Sequence, residues 1–376
     1  SRSGRGTPIN IMNFSRRPKN IVSLTLLTVF AALMFGCNQS HPQSTFEALG
    51  PVAQSQLDLF WIIFAAGALV FVIVEGLMIY AIIKFRRRSD DEMPHQTHGN
   101  NTLEITWTVI PAALLILITI PTIITIFDNT NSPRTPAEGG LVVDAIGHQW
   151  WFEFRYPHPV NPDEEIVFAN ELHIPTGEPI NIRLESVDVI HSFWVPKIGG
   201  KVDMVPGNGN DMWLQADSPG YLYAQCAEFC GVAHALMRFR VIAEPREDFD
   251  AWLLAQAEPA AESADPLIAA GKQIFQQSGC TGCHATDPSS SGRIGPNLTH
   301  VASRSTLAGG VFENRDEFDK VNPSLVQANL REWLEDPLNA KPGNIMGMQA
   351  AVYTDTNKAL SEPDISALVA YLSSLK

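Results

Sequence analysis

Cysteine is scarce in this chain: five in 376 residues, one alone at Cys37 and four in two close pairs. A secreted disulfide framework would scatter its cysteines at wider spacings, so no disulfide is expected in the working protein. Basic residues are also few, 26 Lys and Arg against 40 Asp and Glu, for a net charge of −14. That balance argues against a nucleic-acid partner, because phosphate binding requires clustered cations. Between Asp128 and Glu247 acidic residues outnumber basic ones roughly two to one, a solvated acidic surface or a docking face for a basic protein. Long apolar runs are missing after Phe127, and no internal repeat is present. The length calls for two or three domains.

The apolar residues that are present lie early. Ile21 to Gly36 follows Arg16, Arg17 and Lys19 and ends at Cys37, the pattern of a signal peptide with a junction resembling a bacterial lipoprotein processing site. Trp61–Ile83 and Ile105–Phe127 are each long enough to cross about 30 Å of hydrocarbon. Lys84-Phe85-Arg86-Arg87-Arg88 lies between them, whereas Asn38 to Gln56 has no Lys or Arg. The positive-inside bias puts that connection in the cytoplasm and the chain after Asp128 outside the cell membrane. From Leu141 to Pro245 the pattern has period two, as in Ile180, Ile182 and Leu184. Short strands with Pro and Gly turns between them predict an antiparallel sandwich or barrel. "AQAEPAAESADP" reads as a linker, and amphipathic helices follow, the last with an Ile365, Leu368, Val369, Leu372 stripe and Ser361 as N-cap.

Two motifs carry the chemistry. Cys226, Cys230, His234 and Met237 form C-x-x-x-C-x-x-x-H-x-x-M. Zinc would accept the thiolates and imidazole. A Cys226–Cys230 disulfide would leave the histidine and methionine without a role. Thiolate, imidazole and thioether together suit copper, with His191 in the same strand-rich region as the second histidine. Further on, Cys280-Thr281-Gly282-Cys283-His284 is the C-x-x-C-H of covalent haem c. A zinc knuckle or a thioredoxin-like motif does not predict the histidine directly after the second cysteine.

Together, "DVIHSFWVPKIGGKVDMVPG", "CAEFCGVAHALM", "LEITWTVIPA" and "GHQWWFEF" resemble subunit II of cytochrome c oxidase, from the membrane hairpin to about Pro245. The resemblance implies a cupredoxin-like Greek-key barrel holding a dinuclear copper centre. Cys226 and Cys230 would bridge the two coppers, His191 and His234 would be terminal ligands, and Met237 and the Glu228 carbonyl weak ones. The Glu228 carboxylate would help bind a magnesium ion shared with subunit I, and Trp150 would be the electron-entry residue. Glu104 would stand at the mouth of a proton-uptake channel; Glu75, inside the first span, gains no role. "KPGNIMGM" and "GPNL" resemble segments of small soluble cytochromes c. They imply an all-α class I cytochrome domain in which Met346, with Met348 close by, is the sixth haem ligand and the Pro296 carbonyl orients His284.

The expected order is leader (1–37), N-terminal segment and transmembrane hairpin (38–127), copper domain (128–248), linker (249–265) and cytochrome c domain (266–376). That order resembles subunit II of the caa-type oxidases, the electron-entry subunit of a proton-translocating respiratory enzyme. The implied partners are subunit I and other membrane subunits, a cytochrome c or other reductase as donor, and membrane lipid. A nitrous oxide reductase would need a second, histidine-rich cluster, for which ten histidines are few. A quinol oxidase subunit should lack the copper ligands. The copper subunit of a nitric oxide reductase remains the alternative.

Overall fold

The computed structural model describes residues 25, 28, 41–87, 96, 98–161, 163–290 and 294–376; apart from residues 25 and 28, the expected leader, Cys37 included, lies outside the described residues. Two long helices come first, α1 (Pro51–Lys84) and α2 (Asn101–Thr130). Both are apolar on all faces and long enough to span a bilayer. They run beyond the expected spans because Pro51 starts α1 at its first turn and the Asn100 side chain caps α2 by accepting from Leu103 N–H. The outer end of α1 is not lipid-facing: Val52 and Ala53 are buried. Leu49 bonds backbone to backbone with Lys197 and Asp217, and Ser55 donates to Asn129 across the hairpin. The hairpin is thereby fastened to the domain that follows.

That domain is two stacked five-stranded sheets. One runs β3 (Glu165–Ala169), β2 (Trp151–Pro157), β1 (Val142–His148), β5 (Ile180–Ser186), β8 (Asn210–Leu214). The other runs β4 (Glu171–Pro175), β10 (Arg238–Glu244), β9 (Gly220–Cys226), β6 (His191–Trp194), β7 (Lys201–Met204). The expected antiparallel arrangement is corrected at two places, where β1 pairs with β5 and β10 with β4 in parallel. Alternation fixes which face a side chain takes, and it is silent about the direction of the neighbouring strand. Phe152, Phe154, Phe193 and Phe239 pack between the sheets, with Phe152 and Phe239 ring centroids 4.6 Å apart. Cys226, Cys230 and Met237 belong to this same core.

The linker expected at 249–265 begins later. Phe249, Trp252 and Leu253 fall on one face of a helix, α3 (Arg246–Ala257), and dock on the sandwich core. The C-terminal region is helical. α4 (Pro266–Gln277), α5 (Pro323–Glu335) and α7 (Glu362–Ser374) close a second core around Phe275, Leu330, Leu368 and Leu372, and the short α6 (Ile345–Gln349) borders it. Ser361 caps α7 in a reciprocal capping box with Asp364.

Candidate functional site

The soft side chains converge where β6 and β9 lie side by side. Phe193 on β6 pairs with Cys226 at the end of β9. The chain then makes a short loop through Glu228 and Cys230 and a single 3-10 turn at His234–Leu236 before Met237 leads into β10. The loop is short because C-x-x-x-C must return the second sulfur beside the first. The two Sγ atoms are 3.8 Å apart. His191 Nδ1 is 3.9 Å from Cys226 Sγ, His234 Nδ1 is 3.6 Å from Cys230 Sγ, and Met237 Sδ is 3.8 Å from Cys230 Sγ. The Glu228 carbonyl is 3.2 Å from Cys226 Sγ, while its carboxylate lies on the exposed side of the loop. Each sulfur thus has one imidazole nitrogen, and a thioether and a carbonyl lie at opposite ends of the pair.

Electrostatics suits the pair to a cation. The hydrogen bond shared by the two sulfurs holds the Cys226 pKa down at about 3 and pushes Cys230 well up. One thiolate therefore exists readily, and the second proton is lost when a metal replaces it. His191 is buried, and its Nε2 faces Asp188 Oδ1 at 2.8 Å. Burial opposes the charged form of His191, but Asp188 and Cys226 outweigh it and hold its pKa above the ordinary value. With Asp188 accepting at Nε2, Nδ1 is left free toward the sulfurs. Asp188 itself accepts from Gln149 N–H, tying the ring to the β1–β2 turn. Asp188 was missed from the sequence; its only signal is the three-residue spacing to His191 in "DVIH".

Trp150 stands directly over this centre. Its Nε1 donates to the Cys230 carbonyl at 3.0 Å, and Gln149 Nε2 donates to the same oxygen at 2.7 Å. An indole near the surface was expected, yet Trp150 is only 7 % exposed. The segment Lys341–Gly343 of the C-terminal domain covers it, with Lys341 Nζ donating to the Trp150 carbonyl at 2.7 Å.

In the C-terminal domain, Cys280 and Cys283 flank one 3-10 turn and His284 follows. His284 Nδ1 donates to the Pro296 carbonyl at 2.8 Å, as anticipated from "GPNL", which leaves Nε2 as the free acceptor. Burial pushes the His284 pKa below its ordinary value, favouring the neutral ring a metal requires. A Cβ at Gly295 would come within 2.4 Å of the His284 ring, so only glycine lets the chain pass beneath it. Met346 packs against the helical core, whereas Met348 is 48 % exposed. Glu104 lies in the first turn of α2 and Glu75 half-buried along α1. Neither is brought near the other site residues.

The donor set of the first centre is that of a copper site: two thiols, two imidazole Nδ1 atoms and a thioether inside an apolar shell. The second carries the attachment motif and oriented imidazole of a c-type haem site. A β-sandwich with soft ligands, carried on a membrane hairpin and followed by a cytochrome fold, defines a membrane-anchored electron-transfer protein.

Family models agree part by part. "Cytochrome C oxidase subunit II, transmembrane domain" matches residues 41–124, "Cytochrome C oxidase subunit II, periplasmic domain" residues 141–244, and "Cytochrome c" residues 268–376. Cytochrome c oxidase subunit 2 of Alkalihalophilus pseudofirmus is 37 % identical over 97 % of this chain and 99 % of its own. The subunit 2 of Bacillus sp. (strain PS3) is 36 % identical over 94 % of this chain and 96 % of its own. The solved periplasmic domain of cytochrome oxidase subunit II from Bradyrhizobium japonicum is 29 % identical, covering 31 % of this chain and 91 % of that one, with a TM-score of 0.29. The chain belongs to the cytochrome c oxidase subunit II family and carries a cytochrome c domain at its C-terminal side. It is a membrane protein with an electron-entry role in a haem-copper oxidase, its sandwich on the extracytoplasmic side; the nitric oxide reductase alternative is not favoured.

Proposed function

We propose that this chain receives electrons on a haem c held by Cys280, Cys283, His284 and Met346. It then passes them to a dinuclear copper centre held by His191, Cys226, Glu228, Cys230, His234 and Met237, and on to subunit I. The observation that carries the reading is the paired-sulfur cluster, in which each sulfur has its own imidazole Nδ1. Copper held there would supply one one-electron site, with its charge change spread over the surrounding sulfur and nitrogen donors, and a haem c held in the C-terminal domain would supply a second. The chain's residues do the rest. The Phe152, Phe193 and Phe239 core holds the ligand loop rigid and excludes water, so little reorganises as charge arrives. Asp188 fixes the buried His191 ring and the Pro296 carbonyl the part-buried His284 ring. Met346 is favoured over Met348 because it lies against the domain core.

Several finer roles belong to the same reading. The exposed Glu228 carboxylate would help bind magnesium at the boundary with subunit I, and Trp150 would be the electron-entry residue, being bonded to the Cys230 carbonyl. Glu104, at the cytoplasmic start of α2, would serve proton uptake, and Cys37 would take a lipid anchor. A cytochrome c or another reductase would be the donor. The test is metal and haem analysis of the assembled oxidase. Two coppers per chain with the unpaired electron shared equally, and a haem that resists extraction, are expected. One copper per chain, zinc in its place, or an extractable haem refutes the reading.

A further inference from the structure

The cytochrome domain is seated on the copper domain, and one buried lysine stands at the centre of that contact. Lys341 is 3 % exposed. Its Nζ donates to the Trp150 carbonyl at 2.7 Å on one domain and the Ala308 carbonyl at 2.9 Å on the other. Among the described residues it has no ion-pair partner. Burial, aided by the nearby Arg238 guanidinium, pushes its pKa down to about 7. A buried ammonium satisfied by carbonyls alone is costly, and surface lysines avoid it by reaching water.

Hydrogen bonds join Lys341 to the segments that carry both candidate sites. On its own side, Asn344 Nδ2 donates to the Lys341 carbonyl at 2.8 Å, and Asn344 Oδ1 accepts from Gly347 N–H at 2.7 Å. That single side chain ties Lys341 to the start of α6, which carries Met346. Between them Gly343 has φ +81°, and a Cβ there would fall 2.0 Å from Val232 of the copper domain, so glycine alone permits the approach over Trp150. On the other side Trp150 donates from Nε1 to the Cys230 carbonyl. The connected order is therefore Gly347 of α6, Asn344, Lys341, Trp150, Cys230.

The geometry points to Lys341 as the positioning residue for electron transfer within the chain, clamping the methionine segment of the cytochrome domain onto the Trp150 face of the copper domain. It rests on the reading of the two domains as haem and copper carriers. The step it positions moves one electron: the cytochrome domain is oxidised by one and the copper domain reduced by one, with no bond made or broken and no proton exchanged.

The test uses the assembled oxidase with Lys341→Met, which keeps the length of the side chain and removes its donors. Transfer from cytochrome to copper domain after a flash is expected to slow on the order of tenfold, because a charge-assisted hydrogen bond lost from the contact lowers the docked population by about that factor. Amide hydrogen exchange should quicken in residues 308–310 and 341–343. Both optical spectra, and direct reduction of the copper domain by a soluble ruthenium photoreductant, should be unchanged. Lys341→Arg, which keeps charge and donors, is expected to restore protection and most of the rate. An unchanged transfer rate in Lys341→Met overturns the proposal while leaving the metal assignments standing; missing copper or haem in the unsubstituted complex overturns both. Amine acylation of the native complex needs no variant: Lys341 should stay unmodified while exposed lysines react, and its modification in the folded complex overturns the clamp.

Discussion

Replacing Glu171 by alanine should loosen the seat of the cytochrome domain. Glu171 lies on β4 at 2 % exposure, and its Oε1 accepts from the Ser305 N–H at 2.6 Å, the Ser305 hydroxyl and the Thr306 N–H at 3.3 Å. All three donors belong to the cytochrome domain. Charge-assisted hydrogen bonds contribute about 1.5–3 kcal/mol each, and a buried donor left alone costs about 1–3 kcal/mol. The third contact is long, and a cavity of ≈ 240 Å³ lined by Glu171, His173, Tyr221 and Ser305 can admit water to the vacated space. A net loss of about 4 kcal/mol is therefore expected, roughly a thousandfold in the docking equilibrium. Tethering keeps the domains at an effective concentration of roughly millimolar, so undocking would be reversible and intramolecular. Tyr221, which donates to Ser305, and Arg315, 3.2 Å above the Tyr221 ring, lie in the same contact and should loosen with it. Hydrogen exchange at the Ser305 and Thr306 amides in the intact complex measures the effect, with Glu171→Gln intermediate. Exchange as slow in Glu171→Ala as in the unsubstituted chain would refute the reasoning.

Met346→Ala should abolish the sulfur-to-iron charge-transfer band and lower the haem potential, whereas the exposed Met348 should be replaceable by alanine with both kept; the opposite pattern moves the ligand to Met348. Met237→Leu conserves volume in a fully buried position, so it should cost less than about 1.5 kcal/mol, retain copper and shift only its potential; loss of copper in a folded complex contradicts a weak-ligand role. His173 gives a pH signature. Burial opposes its charge, but the carboxylates of Glu171 and Glu244 outweigh it and raise its pKa above 6.5 in the folded chain. Its stabilisation is thus complete below the unfolded pKa and lost as pH rises through the raised folded value. The thermal midpoint should fall over that window above about 6.5, and His173→Gln should flatten the decline in a calorimetric pH series.

What could be read from the sequence was what depends on local spacing. Cys226, Cys230, His234 and Met237 lie within a dozen residues, so their convergence needs only one short loop, and C-x-x-C-H needs only one turn. The α1 and α2 spans follow from unbroken apolar runs, and the last helix from its stripe and its Ser361 cap. The tertiary structure decided whatever depends on residues distant along the chain. The parallel pairings of β1 with β5 and β10 with β4 are choices among strands of similar pattern. α3 runs into the expected linker because its apolar face found the sandwich core, an energy that belongs to packing and not to the Ala/Glu/Pro composition that follows. Trp150 reads as an aromatic near a surface until another domain buries it. Lys341 reads as one more solvated cation until its ammonium meets a carbonyl 191 residues away. Charge in a sequence carries no burial, and only the docked fold turns those two residues into neighbours.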